Sequence, residues 1–175
     1  WTCFPKAFAS IMLTMFAPLS LVAFGVLLRG SSFALRHALL NTRDRRAFGA
    51  LFGVSSLLVP YFLDAIVGGF VSGRVPAGGI AGDPVAGWVN PTSIVAGLLA
   101  VCAVAFLAAT YLVWDARRIS DDAMVEYFRR RAVGAGIAAG VVALGGLAVL
   151  ANDAEYLFAG LLSRGLVFVI LSAVC

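Results

Sequence analysis

The chain has 175 residues, of which 62% are hydrophobic and only 13% are charged, with a mean hydropathy of +0.99. A soluble domain is about 25% charged and keeps those charges outside to cover its surface, so this composition excludes a soluble enzyme, a disordered segment and a nucleic-acid-binding domain. The net charge of +4 comes from arginines flanking apolar blocks, the pattern that orients membrane proteins.

Taken in chain order, the blocks predict an all-α, polytopic transmembrane helix bundle. A crossing helix needs about 20 mainly apolar residues. The first block, 7–28, carries no charge, and the second, 47–73, carries one, Asp64. The third lies in the uncharged stretch Val85 to Trp114. Asn90 as N-cap and Pro91 as first helical residue start its span, predicted over 90–114. The fourth span covers 132–152. A fifth begins near Gly165 and is still apolar at Cys175; its eleven residues reach about 16 Å as a helix, roughly half a bilayer. The chain also starts at Trp1 rather than Met. The expectation is a single transmembrane domain over 1–175, with four complete spans plus a truncated fifth at 165–175, forming an internal fragment of a longer chain.

The connections set the orientation. Segment 29–46 holds Arg29, Arg36, Arg43, Arg45 and Arg46, and segment 115–131 holds Arg117, Arg118, Arg129, Arg130 and Arg131. The two alternate segments hold only Arg74 and Arg164. Ten of the thirteen basic residues thus fall on loops 29–46 and 115–131, which the positive-inside rule places in the cytoplasm. The outward loop Val75 to Gly87 is rich in Gly and Pro, so no regular structure is expected there. Ser120-Asp121-Asp122 is expected to cap a short helix through Arg131, and Glu155 to Leu162 to form a helical turn at the outer interface.

Few residues carry chemistry. Asp64 is an acid at bilayer depth, which usually faces protein or a water-filled cavity. Tyr61 and Gly68 share its helix face at spacings of three and four. Asp64 and Tyr61 are therefore the candidate intramembrane polar site, with Asp64 facing protein in a packing and hydrogen-bonding role. Gly49 with Gly53, and Gly136 with Gly140 followed by Gly145-Gly146, are spaced for close helix approach. Trp88 and Trp114 flank the third span as interface anchors, with Tyr111 a turn inside Trp114. Cys3, Cys102 and Cys175 are scattered apolar filler. His37 is the only histidine and lies in a basic segment. Met12 and Met15 share a face but have no His within a span to complete a haem site. No metal is expected, no catalytic residue is identified, and no nucleophile, phosphate or zinc motif is present.

Four passages carry a resemblance. Leu28-Arg29-Gly30-Ser31-Ser32-Phe33-Ala34-Leu35-Arg36 is similar to an LRG-xx-FAFR segment. Ser55 to Pro60, followed by Gly68-Gly69-Phe70-Val71-Ser72-Gly73-Arg74-Val75-Pro76, is similar to a GS-x-x-VP and SGR-[IV]-P run. Trp88-Val89-Asn90-Pro91-Thr92-Ser93 with Gly97 is similar to W-x-NP-[TF]-S-x-x-x-G, and that helix ends in Ala109-Thr110-Tyr111-Leu112, near A-x-YL. Arg129-Arg130-Arg131-Ala132 is a basic helix entry. Together, in this order, they resemble subunit II of the cytochrome bd-type quinol oxidases, whose chains are longer. The resemblance implies a non-haem membrane subunit of a quinol:oxygen oxidoreductase in aerobic electron transport. It implies a haem-bearing subunit I as partner, with haem b and haem d in that partner, quinol from the quinone pool as substrate, and the bacterial inner membrane as location. The chain alone is expected to bind no cofactor and to hold no catalytic centre. The alternative is a fragment of a secondary transporter, which continuous spans with a single internal charge disfavour.

Overall fold

The computed structural model describes residues 3–38, 42–163 and 165. Among them the chain forms six helices and no strand: α1 (Pro5–Thr14), α2 (Phe16–Ala38), α3 (Thr42–Val71), α4 (Pro91–Arg118), α5 (Asp122–Asp153) and α6 (Glu155–Ser163). Four of them, α2 to α5, are long and apolar enough to cross a membrane. Each of these packs on its neighbour in sequence, while α1 packs on α2 and α6 on α5. The all-helical architecture with four crossings is therefore the expected one. The fifth span, predicted at 165–175, lies outside the described residues apart from Gly165.

The first block is not one helix. It divides at Met15, which has φ −99° and ψ 20° and whose N–H still reaches the Ile11 carbonyl at 2.8 Å. Pro18 supplies the cause. It has no N–H to give to the carbonyl of Thr14 four residues earlier, and a missing donor costs nothing extra in the first turn of a new helix. The crossing part of α2 is Phe16–Leu35, which runs past Arg29 instead of stopping at residue 28.

The other spans also exceed their predicted bounds. α3 starts at Thr42 rather than 47, α4 runs to Arg118 rather than 114, and α5 starts at Asp122 rather than 132. The basic segments 29–46 and 115–131 are thus largely helical. Arginine is a good helix former, and beyond the apolar stretch a helix can continue with its charges outward. Asp121 does act as an N-cap, accepting from the Met124 N–H at 3.0 Å. The helix it starts is not short, because it merges with the fourth span. Glu126 supports the merged helix by accepting from Arg130 one turn on at 2.8 Å. The α4–α5 connection shrinks to Ile119, Ser120 and Asp121, with Ser120 in the left-handed region at φ 56°.

The core is made of small and polar side chains. Ala65, Ala109, Ala116, Ala132, Ser10, Thr14, Ser32, Ser55, Thr92 and Ser93 are buried, and Met15 is the largest fully buried side chain. Large aliphatic residues such as Leu27, Leu107, Ile137 and Leu144 face outward. This inversion suits a lipid solvent, in which helices associate through close backbone approach rather than by hiding leucines. Several hydroxyls on the spans are satisfied locally, Ser20, Ser31, Ser56 and Thr110 each donating to the carbonyl four residues back, whereas the buried Ser32 and Ser93 hydroxyls have no hydrogen-bond partner among the described residues.

Most of the glycines spaced for close helix approach do not meet a neighbour. Gly49, Gly53, Gly140 and Gly145 have open space where a Cβ would stand. A Cβ on Gly97 of α4 would lie 2.7 Å from the Tyr61 ring and 2.8 Å from the Tyr61 carbonyl of α3. One on Gly68 of α3 would lie 2.7 Å from the Ser93 Cα of α4. Gly146 is the one spaced glycine in tight contact, with a virtual Cβ 2.9 Å from Val95. The α3–α4 seam is therefore one at which the helix backbones approach closely.

Candidate functional site

The features that bear on function gather at the α3–α4–α5 end carrying the loop 72–90. The start of α4 was readable from local chemistry and forms as predicted. Asn90 caps the helix through its side-chain oxygen, which accepts from the Ser93 N–H at 2.9 Å, and Pro91 follows in the first turn. The loop 72–90 contains neither helix nor strand. It is strapped to α1 by two buried hydroxyls: Ser10 Oγ accepts from the Gly79 N–H and Thr14 Oγ1 from the Gly82 N–H, each at 2.9 Å. Asp83 closes the last turn of the loop by accepting from the Val85 and Ala86 N–H groups at 2.8 and 2.9 Å. The backbone donors of Ala86 and Val85 hold its carboxyl below the ordinary aspartate value. That contribution is present at neutral pH and is lost as pH falls through the depressed value.

Next to this loop lies a polar cluster that sequence reading did not assemble. The Arg74 guanidinium donates twice to Asp153, at 2.6 Å to Oδ1 and 3.1 Å to Oδ2. Thr92 Oγ1 donates to the same Oδ2 at 2.5 Å, and the Thr92 N–H adds a longer contact at 3.3 Å. One carboxylate thus ties the loop after α3, the first turn of α4 and the last residue of α5. Its two charged side chains are 31% and 17% exposed, so solvent screens the pair only in part. The signal in the sequence was a few opposite charges in the outward segments, Arg74 and Asp153 among them, but nothing in their spacing joins residues so far apart.

Below the cluster, α3, α4, α5 and α6 enclose a crevice of about 560 Å³. Among the described residues Asp64 is its sole charged lining residue, and Thr92 is the only other one with a polar side chain. The rest of the wall is aliphatic, including Val67, Val95, Leu99, Leu147 and Leu157. Asp64 is half-buried, and Gly68, predicted on its face, lines the same crevice. Tyr61 does not. Its ring covers Gly97 and stands edge-on to Phe62, with centroids 5.2 Å apart. No hydrogen bond joins Tyr61 to Asp64, and among the described residues no side chain donates to Asp64.

The aromatic anchors take different roles. Trp88 donates to the Pro84 carbonyl at 2.9 Å and packs edge-on against Phe62 at 5.8 Å, so it fastens the loop as well as flanking the span. Trp114 is exposed, 5.8 Å from Tyr111, with the Arg118 guanidinium 4.8 Å over its ring. Haem ligation needs His, Met, Cys or Tyr presented to an open site. Met15 is fully buried, its terminal methyl turned to Gly69 and Gly87, and no His, Met, Cys or Tyr lines the Asp64 crevice. The side chain of His37 lies outside the described residues. Among the described residues no three His, Cys, Asp or Glu side chains group to hold a metal.

A model of the cytochrome bd terminal oxidase subunit II family matches residues 1–175. No curated protein and no solved structure matches the chain. The chain belongs to the cytochrome bd terminal oxidase subunit II family, and it is a multi-pass membrane subunit of a respiratory oxidoreductase complex.

Proposed function

From that membership we propose that the chain is the non-haem subunit of a quinol:oxygen oxidoreductase and supports a haem-bearing subunit I, which carries haem b and haem d. The observation that carries this reading is the family match over the whole chain, joined to spans whose described residues offer no haem site. The work left to the chain is structural. Its tight α3–α4 seam and its clamped loop hold a scaffold, while most large aliphatic side chains remain outward for lipid and for neighbouring subunits. The same match favours the oxidase over a secondary transporter. The helix break at Met15 precedes the first crossing helix, Phe16–Leu35, so the four crossing helices themselves are continuous.

Two experiments test the reading. The chain, affinity-tagged and purified from native membranes, is expected to bring down a haem-bearing membrane subunit, and the preparation to take up oxygen when given quinol. Isolation of the tagged chain with no haem-bearing partner would count against the proposal. The orientation in the bacterial inner membrane follows from the arginine asymmetry, with segments 29–46 and 115–131 cytoplasmic. Single cysteines at Arg43 and Arg118 are expected to resist an impermeant thiol reagent in intact cells, whereas cysteines at Gly79 and Asp153 are expected to label. Labelling at Arg43 from outside would reverse the assignment.

A further inference from the structure

We propose that the crevice beside Asp64 binds an amphiphilic cation, an aliphatic chain carrying a protonated amine, with the amine paired to the Asp64 carboxylate. This does not depend on where the haems sit in the complex.

The site is built from two observations. The first is the shape and lining of the crevice. It runs from Val71 and Thr92 down to Leu99 on α4, a drop of about 10 Å at 1.5 Å per residue. Its walls are aliphatic, and small residues at Gly68, Ala96, Ala143 and Gly146 leave the space open. An extended alkyl chain suits that volume and that surface. The second is the chemistry of its one charge. Asp64 sits seven residues before Val71, about 10 Å from the end of α3. Among the described residues nothing donates a hydrogen bond to it, and the only other polar wall group, the Thr92 hydroxyl, is already engaged by Asp153. Arg74, the nearest cation in the cluster above, is held bidentately by Asp153. A carboxylate at membrane depth is costly without a partner, and an opposite charge there gains from the low dielectric. A neutral lipid chain would fill the crevice but leave the carboxylate unmet, and an anionic amphiphile would be repelled. Charge complementarity therefore selects the cation.

The test uses the oxidase complex purified from membranes and placed in phosphatidylcholine nanodiscs, with radiolabelled dodecylamine as the probe and dodecanol as its neutral counterpart. Binding is read against empty nanodiscs. Saturable dodecylamine binding is expected, at least tenfold tighter than that of dodecanol. Asp64→Asn, at unchanged haem content, is expected to weaken the amine at least tenfold and to leave the alcohol unaltered. Ala143→Phe, which narrows the crevice and keeps the charge, is expected to weaken the amine as well, and it carries the test if Asp64→Asn does not assemble. Equal amine binding by the wild type and Asp64→Asn would overturn the proposal. So would dodecanol binding as tight as the amine, which would make the crevice a slot for neutral chains. Absence of saturable amine binding, as when a neighbouring helix covers the crevice in the complex, would overturn it too.

Discussion

Replacing Asp153 with alanine is expected to cost the folded protein about 2 kcal/mol, because it strands a half-buried guanidinium and a buried threonine hydroxyl together. The carboxylate accepts from Arg74 twice and from Thr92 through both its hydroxyl and its N–H. Hydrogen bonds to a charged group contribute more than neutral ones. The pair is not fully buried, so its strength falls short of that of a dry interior pair. The expected readout is a lower thermal midpoint for the purified complex in detergent. The double variant Arg74→Ala with Asp153→Ala should cost less than the sum of the two single changes, since neither charge is then left without its partner. Additive costs would mean that the two side chains act independently.

The second large effect is expected at Gly97. Alanine there places a methyl group 2.7 Å from the Tyr61 ring and 2.8 Å from the Tyr61 carbonyl oxygen. A ring can turn aside, but a backbone oxygen inside α3 cannot, so the helices must part. Overpacking of this kind costs about 1–3 kcal/mol, and here it acts on a seam where two helix backbones meet. Gly140→Ala is the control. Its Cβ meets open space, and removing a mid-helix glycine is expected to be neutral or to stabilise by up to about 1 kcal/mol. Thermal unfolding of the two variants side by side separates the readings. Equal effects at Gly97 and Gly140 would mean that seam packing does not decide the outcome.

How far the sequence could be read depended on whether the chemistry was local. The start of α4 was legible because an Asn cap followed by proline acts within one turn. The four crossings were legible because lipid demands long apolar runs. Helix ends at the basic segments were not, since the edge of an apolar block marks where the hydrocarbon stops and not where the hydrogen-bonding ladder stops; α5 simply continues through Arg129, Arg130 and Arg131. The break at Met15 was hidden by unbroken hydropathy, although Pro18 stood in plain view. Glycine spacing marked stripes on α3 and α5, but which glycine meets a neighbour is settled by the partner helix, and Gly68, Gly97 and Gly146 do so.

The candidate site divides in the same way. Asp64 was visible as the only charge within the predicted spans. Helical spacing placed Tyr61 and Gly68 on its face, yet spacing cannot say which neighbouring element claims a side chain, and Tyr61 lies over Gly97. The Arg74–Asp153–Thr92 cluster was out of reach, because it joins three segments whose proximity exists only after α3, α4 and α5 have packed.

In the proposed function this subunit carries no haem and leaves oxygen chemistry to its partner. The most direct measurement is a reduced-minus-oxidised spectrum of the chain expressed without the haem-bearing subunit and purified in detergent. The account predicts no haem band at stoichiometric level, with haem bands returning when both subunits are expressed together. A stoichiometric haem band on the chain alone would contradict it.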